Sequence, residues 1–308
     1  MICSLCEQIT KGAYFVPKGA YSMSQYCGKR RSPWKRSVVL AAVILSLTFA
    51  VWHSNAVLRT EEFLFRSPRL PLAFDGYRVV VLSDLHGAVF GEGNADLLVQ
   101  TAAADPDIIA VVGDLEDQFQ GHDPAWVEDL AQELVNIAPV YYVTGNHEWA
   151  VGEVPVLKKS LSEAGWTVLS NRFVPLEREG AAILLAGIDD PNGYADQKTP
   201  EAVAAELYAE HGDPFWILLA HRNNRFAHQY SLLGADLTIS GHGHGGIIRL
   251  PFTDGLLSTE RTLFPSYTDG FYEANGATVF VSRGVGNSGR LLRLFNPPQI
   301  AVITLRRV

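Results

Sequence analysis

The chain has 308 residues, 47% of them hydrophobic, with 25 basic against 33 acidic side chains and a formal net charge of −8. That apolar share supplies a substantial core for one large domain or two small ones and excludes a disordered chain. Basic residues concentrate in the first 36 positions, so the body of the protein has no nucleic-acid footprint and no polyanion partner is expected.

All three cysteines, Cys3, Cys6 and Cys27, lie in this leader, so no disulfide can form within the rest of the chain. Cys3-Ser4-Leu5-Cys6 lacks a second pair and a neighbouring histidine and reads as incidental. A start at Met23 instead of Met1 would keep the basic stretch and lose that CxxC. From Ser37 to Trp52 there are sixteen residues without a charge, preceded by Lys29, Arg30, Arg31, Lys35 and Arg36. With the stretch on to Leu58 this is expected to be a transmembrane or signal-anchor helix over 37–58, with residues 1–36 cytoplasmic and the remainder on the outer face. Ser54-Asn55-Ala56 also resembles a small-residue cleavage site. Residues 59–76, with Pro68, Pro71 and Gly76, read as a linker into a catalytic domain over 77–308.

Tyr77–Ser83 is a short apolar, β-branched run that ends in Asp84-Leu85-His86-Gly87. A helix over Asn94–Ala104 and a strand over Ile108–Val112 follow, the strand ending at Gly113-Asp114. An amphipathic helix over Pro124–Ile137 then leads to a strand over Val140–Thr144 and to Gly145-Asn146-His147-Glu148. Strand, turn and helix in alternation predict an α/β architecture whose side-chain-bearing loops gather at the carboxyl ends of the strands. After a helix over Val154–Ala164, runs at Thr167–Leu169, Phe173–Leu176 and Ala181–Ile188 suggest a change toward mixed or antiparallel pairing. Ala202–Glu210 is expected to be helical, and Trp216–Ala220 is a buried strand that ends at His221. Ala235–Ser240 reaches Gly241-His242-Gly243-His244-Gly245-Gly246, and strands at Thr278–Ser282 and Ile300–Leu305 are expected to complete a second sheet.

Five of the nine histidines (His86, His147, His221, His242 and His244) thus fall at strand ends, together with Asp84, Asp114 and Asn146. Each singly has an ordinary explanation as a cap, a turn or a core group. Together, so many carboxylates and imidazoles are costly to cluster unless they coordinate cations. Oxygen and nitrogen donors without thiolate suit divalent manganese, iron, zinc or nickel, and they are too many for one tetrahedral ion, which points to two.

These five motifs, DLH, GD, GNHE, the histidine after WILLA, and GHGH, resemble in residues and order the signature of calcineurin-like metallophosphoesterases, over residues 77–305. The GHxHGG form, with a basic, apolar leader, is similar to a bacterial branch of membrane-associated or exported phosphodiesterases. The resemblance implies a four-layer α-β-β-α sandwich of two mixed sheets. It implies Asp84, His86 and His244 on one metal, Asn146, His221 and His242 on a second, and Asp114 bridging them. It further implies a metal-bridging hydroxide as nucleophile and His147 at the scissile phosphate, protonating the leaving group, with Glu148 either orienting His147 or capping a helix. His221 is followed by Arg222-Asn223-Asn224, where relatives often carry a proline turn, and Gly243 stands where threonine is common.

Arg222, Arg225, Arg283 and Arg290 are candidate phosphate contacts because a guanidinium matches phosphate bidentately. Asp189-Asp190 reads as a structural turn with Pro191. The expected function is a dinuclear metal-dependent phosphohydrolase, a phosphodiesterase or pyrophosphatase, with a lipid-linked substrate suggested by the membrane segment. The alternatives are a UDP-2,3-diacylglucosamine-type lipid pyrophosphatase, whose cytoplasmic substrate conflicts with the orientation above, and a non-catalytic membrane binding protein.

Overall fold

A computed structural model describes residues 33–194, 197–250, 254–259, 261–289 and 292–308. The leader cysteines, Met23, the basic residues up to Arg31 and Arg290 lie outside the described residues. The chain divides into two compact units, one up to Ser46 and one from Leu47 onward. Helix α1 (Pro33–Ala56) contains a stretch, Trp34–Ala56, of mean hydropathy 1.9 that is long and apolar enough to cross a membrane. The side chains of its first four turns are open, Leu40 and Leu45 being 61% and 70% exposed.

Within the second unit the chain runs through β1 (Arg59–Ser67), β2 (Arg78–Leu82), α2 (Ala95–Ala103), β3 (Ile108–Val112), α3 (Pro124–Val135) and β4 (Val140–Val143). It continues through α4 (Asn146–Val151), α5 (Val154–Glu163), β5 (Thr167–Val168), β6 (Arg172–Arg178), β7 (Ala181–Ile188) and α6 (Pro200–His211). It ends with β8 (Trp216–Arg222), β9 (Leu237–Gly241), β10 (Gly270–Ala274), β11 (Ala277–Val281) and β12 (Gln299–Arg307). The helices start where local chemistry dictates. Asp123 caps α3 by accepting from Trp126 N, Thr199 caps α6 by accepting from Ala202 N, and a proline occupies the first turn of each.

The strands form two six-stranded mixed sheets, ordered β1-β12-β2-β3-β4-β5 and β10-β11-β9-β8-β7-β6. Three packing layers follow from the period-2 alternation of strands buried on both faces. Val79 and Val81 of β2 point between the sheets and meet Ile217, Leu219, Leu237 and Ile239. Val80 and Leu82 point the other way, with Leu97 of α2, Leu130 and Leu134 of α3, and Leu157 and Leu161 of α5. On the far side, Leu184, Trp216 and Leu218 pack with Val203 and Leu207 of α6. This is the expected α-β-β-α sandwich.

Two expectations are corrected. Residues 59–67 are not linker but the edge strand β1, paired in parallel with β12 from Arg59↔Gln299 to Ser67↔Arg307. Phe63 and Phe65 turn toward the inter-sheet core, and Glu61 on the same face is neutralised by Arg283, 2.6 Å away. The charges of RTEEF masked an alternating pattern. Secondly, only β11 joins the second sheet; β12 returns to the first, antiparallel to β2, because Ile300–Ile303 are buried on both faces there. Strand β10, which the sequence reading lacked, closes the edge beside β11.

Candidate metal centre

The parallel strands β2, β3 and β4 of one sheet, and β8 and β9 of the other, end at a common cleft. There the chain turns abruptly: Asp84, His86, Asp114, His242 and His244 all adopt left-handed backbone, with φ of 51°, 49°, 52°, 67° and 46°. Non-glycine residues seldom sit there, and Asp and His are among those that tolerate it best. The sharp turns are what aim five side chains from separate strands into one space.

Three groups result: Asp84, His86 and His244; His86, Asp114 and His147; Asp114, His221 and His242, with the donor atoms of each group within 4.8 Å of one another. The separations match edges of a coordination sphere, since donors 2.0–2.1 Å from one ion stand about 3.0–3.4 Å apart. His86 Nε2 and His244 Nε2 are 3.1 Å apart, His244 Nε2 is 3.3 Å from Asp84 Oδ1, and His221 Nε2 is 3.2 Å from Asp114 Oδ2. Asp114 belongs to two groups, as a bridging carboxylate must. Asn146, the first residue of α4, lines the same cleft of about 320 Å³, and its buried Oδ1 has no hydrogen-bond partner among the described residues. An orphaned carbonyl oxygen beside anionic and imidazole donors fits a cation ligand.

Supporting contacts fix these groups. Asp84 accepts from Ser83 Oγ at 2.6 Å and from His242 N at 3.0 Å, and Asp114 Oδ1 accepts from His147 N at 2.9 Å. His221 Nδ1 sits 2.8 Å from the carbonyl of Val112 and donates to it, which leaves Nε2 as the nitrogen able to coordinate a cation. The chain approaches itself so closely that a methyl on Gly145 would overlap Asp114 Oδ1.

The electrostatics also favour a cation. Burial pulls the His86 and His242 imidazoles down to about 4 and about 3, so both are neutral ligands at physiological pH. Burial pushes Asp84 up to about 6. Burial also raises the Asp114 carboxyl, but His221, His86 and His147 together hold it well below the usual carboxylate range. His221 is opposed by burial yet pushed up to about 10 by Asp114, the reverse of its neighbours. A proton there answers the negative charge that a divalent cation would answer instead.

Glu148 does not touch His147. Its two carboxylate oxygens accept from the backbone N–H of Gly145 (2.7 Å), Leu115 (2.5 Å) and Asp114 (3.1 Å), so it caps α4 and ties the Asp114 loop to it. What orients His147 is the backbone N–H of Gln118, which donates to Nδ1 at 3.1 Å, with Asp117 Oδ1 3.2 Å from the same nitrogen; Ser288 Oγ lies 3.4 Å from Nε2. The signal for Asp117 was its place three residues after Asp114 in the same strand-end loop; Ser288 carried none.

Of the four arginines, Arg222 reaches the cleft, held by Asp190 through Nε (2.7 Å) and Nη2 (3.2 Å). Arg283 is spent on Glu61 and Asp269, and Arg225 Nη1 bonds Gln229, so neither stands as an open phosphate contact. Asp189 accepts from Thr144 Oγ1 and Lys158 Nζ, so the acidic pair is structural as expected. A larger hollow of about 410 Å³ beside Trp149, Lys158 and Tyr194 contains none of the clustered histidines.

Residues 77–246, more than half of the chain, match the family model of the calcineurin-like phosphoesterases. An uncharacterized metallophosphoesterase of Bacillus subtilis, YkuE, is 28% identical over 266 residues, covering 84% of this chain and 89% of its own. A Bos taurus protein named as a transmembrane protein with a metallophosphoesterase domain is 30% identical over 283 residues, 87% of this chain and 62% of its own. Among solved structures, a dimetal phosphatase from Danio rerio aligns with a TM-score of 0.45 at 14% identity, over 68% of this chain and 88% of that one. With its two-sheet sandwich and its ordered strand-end histidines and aspartates, the chain belongs to the calcineurin-like phosphoesterase family.

Proposed function

We propose that this protein is a membrane-tethered, dinuclear metal-dependent phosphohydrolase acting on a phosphodiester or pyrophosphate. The observation that carries this reading is the shared Asp114, which joins the Asp84–His86–His244 and His221–His242 donors into one pair of sites 3–4 Å in reach. Asp84, His86 and His244 would hold one ion, Asn146, His221 and His242 the other, with Asp114 placed to serve both. When bound, two divalent ions lower the pKa of water and offset charge developing at phosphorus.

The chain's own residues do the rest. Arg222, fixed by Asp190, presents its guanidinium to a phosphate oxygen in the cleft. His147, with Nδ1 accepting from Gln118 N (3.1 Å) beside Asp117, points Nε2 toward Asp114 (4.0 Å) and presents its proton to the departing oxygen. The basic leader ahead of α1 supports a cytoplasmic N-terminus with the sandwich on the outer face, and a protease-protection assay on spheroplasts checks that orientation. The apolar helix also supports a lipid-linked substrate, since it keeps the site beside a bilayer.

Hydrolysis of bis-p-nitrophenyl phosphate with added Mn²⁺ tests the reading. Asp114→Ala is expected to lose both metals and turnover, whereas His147→Ala keeps its metals and turns over slowly. Equal metal loss in the two variants rejects the division of roles, and a metal-loaded wild type without turnover leaves a binding protein instead.

A further inference from the structure

Helix α1 does not simply end before the sandwich. Ser54, in its final turn, is fully buried, and its Oγ accepts from the backbone N of Asn296 at 3.4 Å. Asn55 meets Arg293 as a neighbouring strand would: its Oδ1 accepts from Arg293 N at 3.0 Å while its Nδ2 donates to Arg293 O at 2.9 Å. The same Oδ1 accepts from Asn287 Nδ2 at 2.9 Å. A primary amide offers donor and acceptor together, which carboxylate and hydroxyl side chains do not in that spacing.

The described residues of the loop so gripped border the Asp84–His86–His244 cluster. Gly286 N donates to Asp84 O at 2.7 Å, and any side chain at Gly286 would overlap Leu85 O. Asn287 is followed by Ser288, beside His147, and by Gly289, whose N donates to Asp117 Oδ2 at 2.7 Å. Arg293 is buried, with Nε on Asn287 Oδ1 (2.7 Å), Nη2 on Gly286 O (2.6 Å) and Nη2 3.3 Å from His244 Nδ1. Asn296 Nδ2 donates to His244 O at 2.7 Å. Arg293 and Asn296, whose backbone Asn55 and Ser54 hold, thus each meet His244 directly, and Asn287 reaches it through Arg293.

We propose that Asn55, at the end of the membrane helix, is a positioning residue for the metal centre, acting through Asn287 and Arg293 on His244. The anchor is then part of the working site. Cleavage at Ser54-Asn55-Ala56 would remove the two residues that brace the loop, so the competent protein is not cut at that site. The inference rests on the dimetal reading above, and it predicts that the perturbation reaches one of the two ions more than the other.

The test uses the full chain in detergent, with Mn²⁺ dissociation constants for both sites, thermal midpoint, and kcat and KM on bis-p-nitrophenyl phosphate. Loss of a contact that orients a metal ligand weakens binding about 10–100-fold. Asn55→Ala is expected to weaken one of the two Mn²⁺ sites about 10-fold and lower kcat more than it raises KM. Asn55→Asp, which keeps both accepted hydrogen bonds, is expected to fall between. Asn55→Ala combined with Arg293→Lys is expected to weaken that site less than the two separate effects multiplied, because both act along one path. Wild type that binds no Mn²⁺ overturns the dimetal reading itself. Wild type that binds two, with Asn55→Ala unchanged at both sites or weakened equally at both, overturns the role of Asn55. Should Asn55→Ala fail to fold, the same readouts on Asn55→Asp decide.

Discussion

Glu148 provides the sharpest check on how the centre is built. It is fully buried, and its oxygens take backbone N–H groups from both sides of the cleft floor: Gly145 at 2.7 Å within its own turn, Leu115 at 2.5 Å and Asp114 at 3.1 Å from the facing loop. Glu148→Ala leaves three buried donors without acceptors at about 1–3 kcal/mol each, or roughly 3–6 kcal/mol once water re-enters part of the space. For a domain of this size the thermal midpoint is expected to fall by on the order of 10–20 °C. Because Asp114 is held through this carboxylate, the variant is also expected to lose metal before it unfolds. Trp149, adjacent and hydrogen-bonded to Thr144 Oγ1 at 2.9 Å, reports the change by fluorescence during a melt, read beside elemental analysis of the folded protein. A melt within 3 °C of wild type refutes the accounting of the orphaned donors. A large drop in midpoint with both metals retained refutes the link from Glu148 to Asp114.

Asp117→Asn keeps the size of the side chain but removes the negative charge 3.2 Å from His147 Nδ1, so turnover is expected to fall about 10–100-fold with metal content unchanged; metal loss would mean Asp117 serves the ions and not His147. Gly187→Ala places a methyl against Val143 Cγ1 (2.6 Å) and the side chain of Leu169 where the two sheets pack. The expected cost is about 1–3 kcal/mol in urea unfolding, and an unchanged midpoint would show that the sheets can part there freely. Burial raises the Glu61 carboxyl, but Arg283 and Gln299 outweigh it and hold the group below its ordinary value of 4.5. A depressed carboxyl contributes stability that is complete above its unfolded pKa and lost as pH falls through the folded one. The stability gap between wild type and Glu61→Gln is therefore expected to be widest near neutral pH and to close below 4.5; a gap that widens on acidification would reverse the sign of the argument.

By itself the sequence settled the elements whose physics is local. Apolar, β-branched runs of five residues between glycine-marked turns can be little but buried strands, and the residues at their ends, Asp84, His86, Asp114, Asn146, His147, His221, His242 and His244, were legible as one set because strand ends in such a fold converge. What tertiary structure decided was everything that depends on a partner distant in the chain. Edge strand β1 carries charges that read as linker until Arg283, 222 positions away, neutralises Glu61. Strand β12 has no local mark saying which sheet it joins. Glu148 reads equally as a cap or an orienting group until its oxygens are seen on the Asp114 loop. Arg283 looked available for phosphate and is not. Asn55 lay in a stretch that reads as a cleavage site, and only its contacts 232 and 238 positions away show it gripping the loop beside His244. Local periodicity reports what a residue's neighbours need; it carries no information on which distant polar group will answer a buried one.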